Sequence, residues 1–308
     1  MLVGGDQGAC AFLMKGENVV KIGYLGPIAT FTDIAVRAMF PGEQAVPYLT
    51  IPACFDALTE DNIDVAVVPL ENALEGSVNI TLDYLVHEVD LPIIGEITAP
   101  IRQHFMVHPD NKDKWLETEI VYSHSHAIAQ CHKFLHKDLM GVPCENTTST
   151  AAAAKFLKEN PHIKGGAIAN ELAAEVYGLA IVREDIHDVS YNHTRFVILS
   201  KKQLPLDEKQ QSFGGYKTTV MITLPSDRAG ALHQVLSAFA WRKLNLSKIE
   251  SRPMKTGLGN YFFIIDIDMK RDDVLIPGVV AELEALDCKV KILGSYPYYQ
   301  LGMKKCTV

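Results

Sequence analysis

The sequence predicts an α/β protein in two parts, and three observations support this fold class. Over residues 19–202, short apolar runs alternate with helical patterns, which is typical of open, mostly parallel α/β sheets. Residues 203–215 are polar, rich in turn formers and without periodicity, as in a linker between domains. Residues 216–300 then follow the order β-α-β-β-α-β, which predicts a ferredoxin-like sandwich.

The elements of the first part follow from apolar periodicity and from helix start and stop signals. Residues 64–70 form a near-continuous apolar run, which is typical of a strand buried on both faces of a parallel sheet. Residues 30–40 carry an apolar helical face that ends before Pro41. We predict strands at 20–25, 64–70, 120–123, 166–169 and 194–200, and helices at 30–40, 127–136, 150–157 and 171–177.

The second part is predicted from the same signals. A turn at 255–259, which contains two glycines, separates two β-rich runs. One helical pattern precedes the first run, and another follows the second run. We predict strands at 218–224, 247–254, 261–269 and 289–296, and helices at 231–244 and 274–286.

Composition and charge exclude several classes of protein. Lys and Arg total 29 against 37 Asp and Glu, which gives a net charge of −8, and no basic run suggests a nucleic-acid partner. No apolar stretch reaches the length needed to cross a bilayer, so we expect no membrane association. The six cysteines are scattered without a Cys-x-x-Cys pair, and residues 1–18 lack a secretory pattern. We therefore expect a reduced, cytoplasmic protein with an N-terminal extension at 1–18.

Familiar cofactor and metal motifs do not fit. The glycines at 257 and 259 lack the third glycine of a dinucleotide fingerprint and lie between two strands. His132 and His136 have the spacing of a zinc pair, but the sequence shows no third ligand. We expect neither a cofactor nor a metal.

Four polar clusters remain, at or near the ends of predicted strands. In open α/β sheets, ligands bind at the carboxyl ends of the strands, so these clusters are candidate sites. Each also has a purely structural interpretation as a turn, a helix cap or a solvated charge. The clusters are 69–78, 122–124 with Gln130, 146–150 and 193–196.

Taken together, the clusters resemble the prephenate dehydratase family, from about residue 20 to residue 299. Residues 26–31, Gly-Pro-Ile-Ala-Thr-Phe, are similar to the family's Gly-Pro-x-Gly-Thr-Phe loop, with Ala29 in place of glycine. Residues 71–76, Glu-Asn-Ala-Leu-Glu-Gly, are similar to its Glu-Asn-Ser-x-Glu-Gly segment, with Ala73 in place of serine. Residues 194–196 match its Thr-Arg-Phe signature. Ser123 and Gln130 have the spacing of its active-site Ser and Gln.

The resemblance implies a catalytic domain at 19–202 with two α/β lobes, similar to type II periplasmic binding proteins, and a site in the cleft. One lobe would contain residues 21–100 with the returning strand 190–200, and the other would contain residues 101–187. The implied activity is a hydro-lyase that converts prephenate, a small dianion, to phenylpyruvate in phenylalanine biosynthesis. The resemblance assigns catalysis to four residues: Thr194, Asn72, Ser123 and Gln130. It assigns substrate binding to five others: Arg195, Phe196, Thr30, Ser149 and Thr150.

Chemical reasons accompany these assignments. Arg195 offers a bidentate fork for one carboxylate, and the helix start at Ser149 and Thr150 offers N–H groups for the other. An alcohol is a poor general acid at neutral pH, so we expect Thr194 to donate a hydrogen bond to the departing hydroxyl.

The C-terminal part resembles an ACT domain, the regulatory module that follows the catalytic domain in this family. Residues 227–233 are similar to its Pro-Gly-Ala-Leu loop, and residues 245–253 match its Asn-Leu…Glu-Ser-Arg-Pro segment. The resemblance implies feedback inhibition by L-phenylalanine bound between two ACT domains, in a homodimer or homotetramer. The implied effector site contains Gly230, Ala231, Leu232, Asn245, Leu246, Glu250 and Ser251.

Two alternative functions stay open on the sequence alone. An arogenate dehydratase would use the same residues on a substrate that carries an amine in place of the keto group. A small-anion or amino-acid sensor on the same fold would need no hydroxyl at Thr194. The chain length leaves no room for a fused mutase domain, so we expect a monofunctional enzyme.

Overall fold

The computed structural model describes residues 20–226, 228–254 and 261–302. The predicted extension at 1–18 and the predicted turn at 255–259 lie outside these residues. None of the helices within the described ranges is both long and apolar enough to span a membrane.

The first lobe is built on parallel strands that are covered by helices. Buried Val and Ile side chains alternate between the two faces of these strands, and helices on both sides cover them. One later strand, β11, returns to insert antiparallel between β3 and β5. The elements are β1 (Lys21–Leu25), α1 (Phe31–Met39), β2 (Gln44–Tyr48), α2 (Ile51–Thr59), β3 (Val65–Asn72), β4 (Gly76–Ser77), α3 (Asn79–Asp83), β5 (Ile93–Pro100) and β11 (His193–Leu199).

The second lobe carries its own sheet of five strands in the described chain, in the order β10-β6-β9-β7-β8. Helices α6 and α7 pack closely on one face of this sheet, because most of the buried side chains between them and β9 are alanines. The elements are β6 (His104–Val107), β7 (Ile120–Ser123), α4 (Ser125–Gln130), α5 (His132–Asp138), β8 (Cys144–Asn146), α6 (Thr150–Glu159), β9 (Gly165–Ala169), α7 (Glu171–Tyr177) and β10 (Ala180–Arg183).

The C-terminal domain has the predicted β-α-β-β-α-β order. Its four strands pair antiparallel in the order β13-β14-β12-β15, and both helices cover one face. The elements are β12 (Phe213–Thr223), α8 (Ala231–Ala240), β13 (Leu246–Pro253), β14 (Tyr261–Ile267), α9 (Leu275–Ala285) and β15 (Lys289–Gln300). The predicted fold class, a two-lobed α/β domain followed by a ferredoxin-like domain, is confirmed.

The two domains share one sheet, which the sequence did not predict. The end of β15 runs parallel to β5, with Tyr298 opposite Glu96 and Gln300 opposite Thr98. Gly294 permits this approach, because a side chain there would collide with the backbone oxygen of Ile93. Strands of the first lobe and of the C-terminal domain therefore form a single ten-stranded sheet in the described chain.

Several predicted boundaries need correction. The predicted linker at 203–215 ends earlier, since β12 begins at Phe213, and Leu204 and Leu206 pack on the first lobe's core. The predicted helix 127–136 is two helices that meet at Cys131, whose backbone leaves the helical region. Helix α8 ends at Ala240, near Lys243, which adopts a left-handed conformation.

Candidate functional site

A cavity of about 670 Å³ lies between the two lobes. Its walls come from strand ends and helix starts of both lobes, as expected for an open α/β architecture. Within the described residues, the walls contain no Lys or Arg side chain. The polar residues that line it are Thr30, Thr32, Asn72, Glu75, Gln103, His124, His126, Gln130, Thr148, Ser149, Thr150, Asn192 and Thr194.

Two helix starts, one from each lobe, face this cavity. Thr30 caps α1, where its hydroxyl accepts a hydrogen bond from the Asp33 N–H at 3.4 Å. Ser149 caps α6, where its hydroxyl accepts from the Ala152 N–H at 3.0 Å. Each helix start carries about half a positive charge from its unpaired N–H groups, so both favour a bound anion.

The loop before α1 departs from the usual family sequence at Ala29, and the structure shows the consequence. Ala29 is buried with a φ of 67°, a left-handed conformation that glycine adopts more easily. Its carbonyl accepts a hydrogen bond at 2.9 Å from the Asn170 amide in the second lobe. The substitution therefore keeps the loop and its contact with the opposite lobe.

Asn72 and Thr194 are opposite each other on β3 and β11, and both line the cavity. The Asn72 Oδ1 accepts hydrogen bonds from the backbone N–H groups of Leu74 and Glu75, at 2.9 and 3.1 Å. Because a backbone N–H can only donate, these contacts fix the orientation of the amide. The Asn72 Nδ2 must then donate to the Thr194 Oγ1, at 2.9 Å. The Thr194 hydroxyl accepts from Asn72 and keeps its own proton free to donate.

Asn192 extends this pair into a network, and sequence reasoning missed it. Its Oδ1 accepts from the Asn72 Nδ2 at 3.0 Å, and its Nδ2 donates to the Gln130 Oε1 at 3.2 Å. Asn192 is buried, and it lies two residues before Thr194, just outside the predicted cluster at 193–196. The structure thus brings Gln130, Asn72 and Thr194 together through Asn192.

Two histidines also line the cavity, although the sequence suggested no role for them. His124 caps α4, and its Nδ1 accepts from the His126 N–H at 3.4 Å. Burial lowers the pKa of His124, and nearby His126 lowers it further, which favours the neutral imidazole at neutral pH. His126 lies 3.5 Å from Glu75 of the opposite lobe.

Ser123 does not line this cavity, which corrects the expectation of an active-site hydroxyl. Its side chain is fully buried, and its Oγ donates to the Ile168 carbonyl on β9 at 2.7 Å. Since β7 and β9 are neighbouring strands, this hydroxyl holds the second lobe's sheet together. Phe196, by contrast, lies in the cavity wall, and so do Thr30, Ser149 and Thr150.

Arg195 also requires a correction, because it does not reach the cavity. Neighbouring residues of a strand point to opposite faces, and Thr194 occupies the cavity side. Arg195 instead donates to Glu71 at 2.7 Å, to Glu96 at 2.6 Å and to Asp266 of the C-terminal domain at 2.7 Å. Its guanidinium is committed to these three carboxylates and is not a fork for substrate.

Arg195 belongs to a cluster of six charged side chains, here called the junction cluster. Lys217 lies 2.7 Å from Glu96, and Lys248 lies 3.0 Å from Glu71 and 3.1 Å from Glu250, so each carboxylate of the cluster has at least one cationic partner. The Glu96 and Asp266 side chains are only 1% and 2% exposed. The cluster consists of Arg195, Lys217, Lys248, Glu71, Glu96 and Asp266.

The charges in the junction cluster stabilise one another. Burial alone would raise the pKa of Asp266, but Arg195 and Lys217 lower it below its ordinary value. Burial alone would lower the pKa of Arg195, but Glu96 and Asp266 hold it well above its ordinary value. Arg195 and Asp266 are therefore both ionised at neutral pH, and each depends on its partners.

A second cavity, of about 640 Å³, lies in the C-terminal domain. Of the predicted effector residues, Gly230, Ala231, Leu232 and Ser251 line it. Gly230 adopts a φ of 84°, so it begins α8 in a conformation that favours glycine.

The other three predicted effector residues lie elsewhere. Glu250 points to the opposite side of β13 from Ser251, where it accepts from the Ser77 hydroxyl of the first lobe at 2.6 Å. Asn245 donates to Asp268 at 2.6 Å, and Leu246 packs in the domain core. Strand alternation explains the placement of Glu250, since neighbouring residues of β13 point to opposite sides.

No group of three or more His, Cys, Asp and Glu side chains among the described residues has a geometry that could hold a metal ion. His132 and His136 lie with their ring centroids 6.1 Å apart on α5, away from the residues that line the cleft.

Comparisons with known proteins agree on one family. The model described as prephenate dehydratase matches residues 22–204, and the model described as ACT domain matches residues 218–287. The prephenate dehydratase of Bacillus subtilis (strain 168) is 58% identical over 285 residues, which cover 92% of this chain and 100% of that protein. The resemblance in the sequence is thereby confirmed.

Two solved structures are similar over most of the chain. Prephenate dehydratase from Arthrobacter aurescens, in complex with L-Phe, matches with a TM-score of 0.78 and 34% identity, over 90% of each chain. Prephenate dehydratase from Staphylococcus aureus matches with a TM-score of 0.75 and 31% identity, over 90% of this chain and all of that one.

The corrected placement of Arg195 makes a prediction about stability. Arg195→Met keeps the aliphatic volume but leaves three carboxylates against two lysines, so we expect the free energy of unfolding to fall by about 3–5 kcal/mol. Urea titration at neutral pH measures this.

Arg102→Met is the matched control. Arg102 pairs with Asp185 at 3.5 Å, and both side chains are about half exposed. We expect this change to cost less than about 1 kcal/mol. An Arg195→Met variant with unchanged stability and only a raised KM would restore Arg195 as a substrate ligand.

Proposed function

The chain belongs to the prephenate dehydratase family, and we propose that it converts prephenate to phenylpyruvate and is inhibited by L-phenylalanine. The observation that carries this proposal is the Asn72–Thr194 pair at the cavity, with a fixed amide that leaves the threonine proton free to donate. A hydroxyl held in that way suits a reaction in which a hydroxyl group departs.

The reaction itself sets what the protein must supply. The ring carboxylate of prephenate leaves as CO₂, and its bonding electron pair enters the ring. The ring hydroxyl departs at the opposite carbon as hydroxide, which takes one proton from solvent, so the products are phenylpyruvate, CO₂ and water. Aromatisation drives the step, and the protein contributes binding, orientation and stabilisation of the departing oxygen.

Thr194 acts as a hydrogen-bond donor to that oxygen. Its hydroxyl cannot deliver a proton outright, since the pKa of an alcohol lies far above the working range. The contact with Asn72 does not use the hydroxyl proton, because the Oγ1 accepts from the Asn72 Nδ2. Gln130 and Asn192 keep the amide network in place without adding charge.

The dianionic substrate, prephenate, is bound by the partial positive charges of helix starts and not by the full charge of a Lys or Arg side chain. The starts of α1 and α6 both line the cavity, and their N–H groups at Thr30, Ser149 and Thr150 are the donors that we assign to the substrate. Because the junction cluster takes up Arg195, these helix starts carry the role that the sequence had assigned to the guanidinium.

For regulation, the cavity of the C-terminal domain takes L-phenylalanine. Leu232, Leu236 and Phe263 provide an apolar wall, and Ser251 provides a polar group beside it. The L-Phe bound to the Arthrobacter protein supports this proposal. A homodimer or homotetramer formed through the C-terminal domains, and a cytoplasmic location, stay predictions.

Thr194 is tested by two substitutions of similar size. Thr194→Val removes the hydroxyl and keeps the shape, so we expect kcat for prephenate to fall by about 10²–10³-fold with little change in KM. Thr194→Ser keeps the hydroxyl and should retain kcat within about tenfold. Steady-state formation of phenylpyruvate measures both.

The outcome that contradicts this role is a Thr194→Val enzyme with normal kcat and a raised KM, which would make Thr194 a binding residue only. If the wild-type protein consumed no more than one prephenate per chain, the proposed enzymatic activity would be wrong and a function as a sensor would be supported.

Two leucine-to-alanine substitutions test whether the cavity of the C-terminal domain binds L-phenylalanine. Leu232 and Leu286 are 36% and 37% exposed, but only Leu232 lines the cavity. Leu232→Ala removes apolar contact with the effector, so we expect the L-phenylalanine concentration for half-inhibition to rise about tenfold at unchanged kcat. Leu286→Ala should change neither quantity. Equal inhibition of both variants and the wild type would place the effector elsewhere.

A further inference from the structure

Glu75 places a carboxylate in the wall of the cleft cavity, which the proposed function assigns to a dianion. The described walls of this cavity hold no Lys or Arg side chain that would balance the carboxylate. Like charges at short range repel each other, so Glu75 opposes substrate binding. A carboxylate at this position therefore needs a reason of its own, and its contacts supply one.

The Glu75 side chain reaches from the first lobe to helix α4 of the second lobe. Its Oε1 accepts a hydrogen bond from the Gln130 Nε2 at 3.4 Å, and its Oε2 lies 3.5 Å from the His126 Nδ1. The Glu75 backbone N–H donates to the Asn72 Oδ1 at 3.1 Å. Glu75 therefore contacts the amide network of the cavity at both of its ends.

These contacts close the network into a ring of four hydrogen bonds. From the Glu75 N–H, the ring passes through the side-chain amides of Asn72, Asn192 and Gln130 and returns to the Glu75 carboxylate. Each amide accepts one bond through its oxygen and donates the next through its nitrogen. Gln130, at the end of α4, is the member that the second lobe supplies, so the ring also joins the two lobes.

The two ends of the ring fix its direction. A backbone N–H only donates and an ionised carboxylate only accepts, so each amide between them has one orientation that makes both of its bonds. Without the carboxylate, only one end holds that direction. Gln130 and Asn192 then turn over more easily, which places the Asn192 nitrogen against the Asn72 nitrogen. The same Asn72 nitrogen donates to the Thr194 Oγ1 at 2.9 Å, so a turned amide disturbs the Thr194 hydroxyl.

We propose that Glu75 is a positioning residue, whose carboxylate oxygen holds the amide ring in the one orientation that serves Thr194. This inference rests on the proposed function and deepens it. The task requires an acceptor oxygen and not a negative charge. It accounts for a carboxylate in a cavity that binds a dianion.

Two substitutions that remove the same charge separate the acceptor from the charge. Glu75→Gln keeps an acceptor oxygen for Gln130, and its amide nitrogen can donate to the His126 Nδ1, so kcat for prephenate should stay within about threefold of the wild-type value. Glu75→Met has a similar volume but no acceptor, so we expect kcat to fall about tenfold, the usual effect of one lost hydrogen bond. Both changes remove a negative charge beside a dianion, so KM should fall to a similar extent in both.

Glu159→Met, at the exposed end of α6, is the control and should change neither kcat nor KM. The midpoint of thermal unfolding should stay the same in all three variants, because the Glu75 and Glu159 side chains are 42% and 60% exposed. A lower midpoint in Glu75→Met together with a lower kcat would indicate a structural role and overturn the inference.

Two kinetic outcomes would also overturn it. If Glu75→Gln and Glu75→Met lost kcat equally, the reaction would need the charge or the proton of Glu75. If Glu75→Met had a normal kcat, the ring would not serve Thr194. A wild-type protein that does not turn over prephenate would instead reject the proposed function and this inference with it, so the two failures are distinguishable.

Discussion

The junction cluster is the interaction on which the rest of the structure depends. Arg195 on β11 binds Glu71 on β3, Glu96 on β5 and Asp266 on β14, so one guanidinium connects three strands of the first lobe to the C-terminal domain. Glu96 and Asp266 are almost completely buried, and an uncompensated charge at such a site is strongly unfavourable. An arrangement of the domains that separated Glu96 or Asp266 from Arg195 would therefore be strongly unfavourable.

The same two strands carry the cavity and the junction, on opposite faces. Asn72 and Thr194 form one cross-strand pair at the cavity, and the next pair, Glu71 with Arg195, faces the C-terminal domain. A change in the position of β14 relative to β11 is thus transmitted to a residue directly bonded to Thr194. Together with the parallel pairing of β15 and β5, this leads us to expect that the first lobe and the C-terminal domain unfold as one cooperative unit.

Much of this was predictable from sequence, and the failures share a physical cause. Apolar periodicity located most elements, and polar clusters at strand ends located Asn72, Gln130 and Thr194 at the cavity. Periodicity shows that Thr194 and Arg195 face opposite sides but does not show which side is the cleft, so Arg195 was misplaced, as was Glu250. Asn192 carried no motif, because its importance lies in side-chain contacts with distant segments of the chain. The shared sheet depends on strand pairing between domains, which no local pattern encodes.

The most direct test of this account is native-state hydrogen exchange of the full-length protein. We expect the slowest-exchanging amides of β14, such as Ile265, and of β11, such as Val197, to open with the same free energy, since the sheet and the junction cluster unfold together. Added urea should lower the free energy of opening by the same amount for both sets of amides. If the β14 amides exchanged through a separate opening of distinctly lower free energy, the C-terminal domain would be independent, and the central role assigned to the junction cluster would be wrong.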